Sequence, residues 1–202
     1  MSASTRMKKL LFLGAGGVGG YFGARLIEAG VDVSFLVRPQ RAALLADHGL
    51  KVVSPHGNMA LPVHCVTRDT VLPEYDLVLL APKAYDLADA LDAIAPAMGP
   101  ETFVLPLLNG LAHIDVLAAR FGASHVIGGV AHIAATLGDD GSIRQLNPIQ
   151  VLTAGGRDAA TQQGAADFIA LCGPAKFDAS LSSDIIATLW EKWVFLAALP
   201  AG

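Results

Sequence analysis

An apolar run of strand length, Leu10-Leu11-Phe12-Leu13, breaks directly into Gly14-Ala15-Gly16-Gly17-Val18-Gly19, and Tyr21 to Ala29 then reads as a helix. The glycines are spaced G-x-G-x-x-G. In a dinucleotide site the first (Gly14) allows the tight turn, the second (Gly16) lets the backbone approach a pyrophosphate, and the third (Gly19) lets helix and strand pack closely. The helix start adds unpaired N–H groups and a positive dipole end, which favour a bound phosphate. The spacing alone is a weak sign, but its position between a strand and a helix makes Gly14, Ala15, Gly16, Gly17, Val18 and Gly19 a candidate cofactor loop. A chain that starts this way is expected to continue as parallel strands wound by helices.

The second strand decides which dinucleotide. Gly30 stops the helix, and Val31 to Val37 alternates and is rich in β-branched residues. An NAD site usually presents a carboxylate about 20 residues beyond the glycines, for the ribose 2′-hydroxyl. Here the strand runs into Arg38-Pro39-Gln40-Arg41 with no carboxylate at the tip. Arg38 suits a 2′-phosphate, because its planar fork donates two hydrogen bonds to phosphate oxygens. The alternative is a solvated loop arginine. The expected cofactor is NADP(H).

At 202 residues, 53% hydrophobic and only 16% charged, the chain can bury a sizeable core and has room for one large domain, or one domain and part of another. Its net charge of -4 gives no electrostatic reason to expect nucleic acid as a partner. Cys65 and Cys172 are far apart and read as small buried hydrophobes, consistent with a reducing compartment. Arg6, Lys8 and Lys9 ahead of an apolar run resemble a signal peptide. The run stops after Leu13 and continues as the glycine loop, so Met1 to Arg6 reads as a frayed leader and the protein as cytoplasmic. No apolar run has the length of a membrane span, so no membrane partner is expected.

Further along, Arg41 to His48 reads as a short helix closed by Gly49, and Lys51 to Ser54 and Leu61 to Val66 as two short strands. His48, His56 and His64 lack metal-ligand spacing. Tyr75 to Leu80 is a buried strand ending in Ala81-Pro82-Lys83-Ala84, with a helix from Asp86 to Met98. Thr102 to Leu107 is another, ending in Leu108-Asn109-Gly110, with a helix from His113 to Phe121 and a strand from Val126 to Ala131. Strand ends of this kind face the ligand crevice. Lys83 and Asn109 are therefore candidate cofactor or substrate contacts; a solvated lysine and a turn asparagine are the alternatives. His132 to Thr136 is extended enough to continue the strand. Ile143 to Leu146 and Ile149 to Thr153 read as an antiparallel pair, Asp158 to Leu171 as a helix, and Ala175 to Asp178 as a strand.

Asp184 to Leu199 is a final helix, with Ser182 or Ser183 as its N-cap. Ile186, Leu189, Trp190, Trp193 and Val194 give it a wide apolar arc, and Phe195 falls on the polar side with Asp184, Thr188 and Glu191. Lys192 lies at the border, next to Ile185 and Leu196. It reads either as a lysine facing a pocket or as one snorkelling from an amphipathic helix.

With these residues in place the chain resembles the N-terminal portion of the ketopantoate reductase (2-dehydropantoate 2-reductase) family. The likeness rests on Gly14 to Gly19, Arg38, Lys83 in Ala-Pro-Lys-Ala, Asn109 in Leu-Asn-Gly, and Trp190-Glu191-Lys192. It implies a doubly wound Rossmann-type α/β domain over 1–180, with 181–202 as the first helix of an all-helical substrate domain whose remainder is absent. It implies NADPH-dependent reduction of a 2-oxo acid, 2-dehydropantoate to pantoate in pantothenate biosynthesis, with the isolated chain inactive. Arg38 would hold the 2′-phosphate, Lys83 the cofactor, Asn109 both cofactor and substrate, and Ala134 would line the nicotinamide side. Lys192 would bind substrate and donate the proton. The expected partners are a small 2-oxo acid and a second copy of the chain. Leu196 and Pro200 stand where the family's reductases carry substrate-binding asparagines, which leaves the identity of the oxo acid open. The alternatives are a relative reducing a different carbonyl and a non-catalytic NADP-binding module.

Overall fold

In a computed structural model, residues 7–82 and 86–198 are described. The first strand, β1 (Lys9–Leu13), is the centre of a five-stranded parallel sheet. On one side lie β2 (Asp32–Leu36) and then, at the edge, β5 (His64–Val66); on the other lie β6 (Leu77–Leu80) and β7 (Phe103–Pro106). Alternation along these strands feeds two cores. Leu10, Phe12, Leu77, Leu79 and Leu105 point into one; Leu11, Val78, Leu80 and Val104 point into the other. Both faces of a parallel sheet must be covered, and helices cover both here. The expected doubly wound, Rossmann-type architecture is what the chain adopts.

On the first face stands α1 (Gly17–Glu28), buried almost all round because a second sheet closes over it. That sheet runs β10 (Asp178–Leu181), β9 (Ile143–Gly155), β3 (Leu50–Val53), β4 (Met59–Leu61), and β8 (Gly128–Leu137) also pairs with β9. The remaining helices are α2 (Pro39–His48), α3 (Leu87–Ile94), α4 (Ala112–Phe121), α5 (Ala159–Cys172) and α6 (Ile185–Ala197). Ile114 and Leu117 of α4, Leu91 and Ile94 of α3, and Ile185 and Leu189 of α6 pack into the core on the second face.

Several expected boundaries move, each for a physical reason. Leu61 to Val66 is not one strand. Pro62 interrupts it, leaving β4 antiparallel to β3 in the second sheet and β5 parallel to β2 in the first. Residues 143–153 are not an antiparallel pair but part of one long strand, β9, which folds back on β8 across the turn at 138–142. The break at Asn147-Pro148 is absorbed as a bulge. Ile133 pairs with Gln150 and Ala135 with Gln145, so Ala134 alone stands opposite residues 146–149. The Asn147 side chain accepts from the Ile149 N–H at 3.1 Å, and the Gln145 amide donates to the Ile149 carbonyl at 3.1 Å.

The last strand begins at Asp178, where Ala175 to Asp178 was expected. The last helix is capped by Asp184, whose carboxylate accepts from the Ala187 N–H at 3.0 Å, and not by Ser182 or Ser183.

Candidate functional site

Gly14 adopts φ +84, which only glycine takes without strain, and the chain turns there from β1 into α1. A Cβ on Gly19 would stand 3.2 Å from the Gly14 carbonyl oxygen, so this glycine sets how closely helix and strand approach. Space beside Gly16 is open: a Cβ there would meet nothing within 4 Å. Gly17 is the opposite case, since its Cβ would fall 2.5 Å from the Ala135 carbonyl oxygen on β8. The α1 N-terminus is thus held against β8 while its loop stays open on the other side.

The open side is a cleft of about 640 Å³ at the C-terminal ends of β1 and β2, lined by Gly14, Ala15, Gly16, Arg38, Arg41 and Arg68 among others. The three arginines differ in what they already hold. Arg41 donates to the carbonyls of Gly141 at 3.1 Å and Ala15 at 3.4 Å, tying the β8–β9 turn to the glycine loop. Arg68 is paired with Asp89 at 2.6 Å. Arg38 is exposed, and its guanidinium makes no hydrogen bond or ion pair among the described residues. It sits at the N-cap of α2, with Pro39 fixing the first helical position. The pairing of Arg41 was not read from sequence, although its place three residues after Arg38, in the first turn of α2, puts it beside the same strand end.

Lys192 is turned inward. Ile185 and Leu189 are the buried residues of α6, and three residues further Lys192 continues the same face (i, i+4, i+7). Its ammonium donates to the Ala131 carbonyl on β8 at 2.8 Å. Burial holds that ammonium below the usual lysine range. Two histidines that drew no notice in the sequence stand within reach of its charge. Burial first, and the Lys192 charge second, push His113 on α4 down to about 4. The same causes lower His132 on β8.

The outer face of α6 is bare: Trp190 is 53% exposed, Val194 61% and Phe195 59%. Trp193 lies over the loop after β7, its ring carbons 3.8 Å from where a Gly110 Cβ would stand. Asn109, beside that glycine, is exposed, and Ala134 is half-buried opposite the β9 bulge. Leu196 is half-buried one turn beyond Lys192. Lys83 and Pro200 lie outside the described residues.

His56 and His64 have structural partners, His56 Nε2 at 2.7 Å from the Pro148 carbonyl and His64 Nδ1 at 2.9 Å from Ser34 Oγ. Among the described residues, no group of three or more His, Cys, Asp or Glu is arranged to hold a metal ion, and no helix is long and apolar enough to cross a membrane.

Residues 10–157 match the family model described as Ketopantoate reductase PanE/ApbA. The chain is 33% identical over 190 residues to the uncharacterized oxidoreductase YkpB of Bacillus subtilis, covering 94% of this chain and 62% of that one. A 2-dehydropantoate 2-reductase of Mesorhizobium japonicum is 31% identical, over 68% of this chain and 49% of its own. Among solved structures, the 2-dehydropantoate 2-reductase of Geobacter metallireducens superposes with a TM-score of 0.81 at 32% identity, covering 93% of this chain and 62% of that one. The chain thus spans between 49% and 62% of the length of these relatives.

Proposed function

The chain belongs to the ketopantoate reductase family, and on that premise we propose that it binds NADPH and serves reduction of a 2-oxo acid, with 2-dehydropantoate as substrate and pantoate as product. In this reading residues 1–180 are the NADP-binding domain and 181–202 open a helical substrate domain.

The residues fit a dinucleotide. Open space beside Gly16 admits a pyrophosphate, α1 begins there with the unpaired N–H groups that favour a phosphate, and the Arg38 guanidinium is uncommitted in the same cleft. A free guanidinium at the end of β2 favours the 2′-phosphate, hence NADPH over NADH. When bound, NADPH supplies a hydride. Lys192 supplies the rest of the chemistry. Negative charge develops on the ketone oxygen during reduction, and a nearby ammonium both stabilises it and donates the proton. Burial lowers the cost of that donation, and the Ala131 carbonyl fixes where the ammonium waits. Asn109 and Lys83 would contact cofactor, Asn109 also the substrate, and Ala134 would line the nicotinamide side.

The observation that carries this reading is the run of β8 from Ala131, which accepts from Lys192, to Ala135, which meets Gly17. Four steps of strand, roughly 13 Å, lie between the carbonyl that holds the candidate acid and the one that abuts the start of α1. The test is NADPH oxidation with 2-dehydropantoate and a panel of other 2-oxo acids. It is run on the chain alone and on the chain joined to the remainder of a full-length relative. We expect turnover in the joined form, fastest with 2-dehydropantoate, and little in the chain alone. Leu196, where the family's reductases carry an asparagine, favours the second reading, a different carbonyl substrate; faster turnover of another 2-oxo acid would establish it. NADPH binding with no turnover in either form would make this a non-catalytic module.

A further inference from the structure

The first turn of α4 holds a buried histidine for which the proposed reaction has no use. His113 is 4% exposed, and its Nε2 is buried without a hydrogen-bond partner among the described residues. Leaving a buried polar atom unpaired forfeits its hydration with nothing in return, so such atoms are rare in native proteins. The core around it is apolar: Leu108, Ile114 and Leu117 on its own side, Ile185 and Leu189 from α6. The loop leading into α4 touches α6 at Gly110 and Trp193.

The polar group whose charge reaches His113 is the Lys192 ammonium on the inward face of α6. An ammonium has three N–H donors. One goes to the Ala131 carbonyl at 2.8 Å, and the other two have no acceptor among the described residues. A buried ring nitrogen without a partner among the described residues and a half-buried ammonium with donors to spare lie near enough for the lysine charge to act on the ring, on elements that meet at Gly110 and Trp193.

We propose that His113 is a positioning residue for Lys192: its unpaired Nε2 takes one of the two spare lysine N–H groups across one bridging water. The ammonium is then held from two directions, by the β8 carbonyl and by the α4 imidazole. This requires a neutral ring with its proton on Nδ1. Burial keeps the ring neutral; a protonated ring would lose its acceptor and repel the lysine. The titratable groups facing Lys192 are His113 from α4 and His132 from β8. The carboxylates of α6 itself, Asp184 and Glu191, are exposed. The contact is a property of the fold; only its effect on turnover rests on Lys192 being the proton donor.

Nitrogen NMR of the 202-residue chain reads the contact without any assay of activity. The expected result is a neutral His113 carrying its proton on Nδ1, with an Nε2 resonance that moves in Lys192→Met. A proton on Nε2, or a resonance indifferent to Lys192→Met, overturns the proposal. The second measurement is the pH dependence of Lys192 acylation by a small amine-reactive reagent, read by peptide mass spectrometry. Losing an acceptor disfavours the charged lysine, so His113→Leu should lower the midpoint by about one pH unit, roughly a tenfold change in the neutral fraction. His113→Gln, which keeps an acceptor, should restore it. An unchanged midpoint in a folded His113→Leu chain also overturns the proposal. Absence of reductase turnover would defeat the functional reading and leave both of these measurements standing.

Discussion

The Lys192 ammonium donates to the main-chain carbonyl of Ala131, 61 residues earlier, at 2.8 Å. A snorkelling lysine would carry its charge out to water; this one carries it inward along the buried stripe of α6. Replacing it should therefore affect chemistry more than cofactor binding. In the chain joined to the remainder of a full-length relative, Lys192→Ala is expected to lower kcat by ~10²–10⁴-fold, the usual contribution of a general acid. NADPH affinity should stay within about twofold, a much smaller step than any lost charged contact makes. Steady-state kinetics with fluorescence titration of NADPH checks both. Lost binding with unchanged turnover of the bound form would make Lys192 structural.

Cofactor preference is expected to reside in Arg38, the cleft arginine whose guanidinium is without a partner among the described residues. One charge-assisted contact is worth about 1.5–3 kcal/mol, so Arg38→Ala should weaken NADPH by on the order of tenfold to a hundredfold. NADH, which lacks the phosphate, should bind almost as before. Calorimetric titration of both cofactors tests this, and equal affinities in the unmodified chain would refute it.

Neighbouring glycines in the loop should respond differently to the same methyl group. At Gly17 the new Cβ would fall 2.5 Å from the Ala135 carbonyl, so Gly17→Ala must push α1 from β8. Overpacking of this kind costs about 1–3 kcal/mol. At Gly16 the methyl meets open space. Gly16→Ala should cost less stability and act chiefly by filling the room a pyrophosphate needs. Urea midpoints beside NADPH titrations give the ordering, and the reverse order would contradict the packing.

Stability should fall in mild acid. His113 is held neutral in the fold, down to about 4, against an ordinary value near 6.5. Between those limits the unfolded chain binds a proton that the folded chain refuses, so stability rises with pH across this window. The contribution is present in full above about pH 6.5 and is lost as pH falls towards 4, on the order of 3 kcal/mol in total. His132, lowered by the same causes, acts in the same direction. Denaturant unfolding from pH 4 to 7 should show this slope, and His113→Leu should flatten it. An equal slope in the variant would assign the effect elsewhere.

What the sequence by itself determined is local. The apolar runs Leu10 to Leu13 and Leu77 to Leu80, the alternation of Val31 to Val37, a glycine at the one left-handed turn of the loop, and Arg38 in place of a strand-tip carboxylate can be read within a few residues. Strand periodicity, turn conformation and caps are set by neighbours at i±4 or less, and they sufficed for the parallel sheet and the cofactor loop. The boundaries failed where a distant partner decided. Pro62 divides an apolar run between two sheets because β2 and β3 each offer it an edge. Asn147-Pro148 looks like a hairpin turn, yet it becomes a bulge because the edge of β8 continues past it on both sides. A network from Tyr21 and Arg25 through Ser54 to Gln145 and Gln150 then grips both flanks of that bulge.

The candidate acid divides in the same way. Helical spacing placed Lys192 at the edge of an apolar face and could not say whether it turned in or out. That choice needed the Ala131 carbonyl, which sequence separates from it by 61 positions. A buried charge is tolerable only where acceptors meet it. Which acceptor does so is fixed by how β8 and α6 pack together, and no local pattern in the chain encodes that.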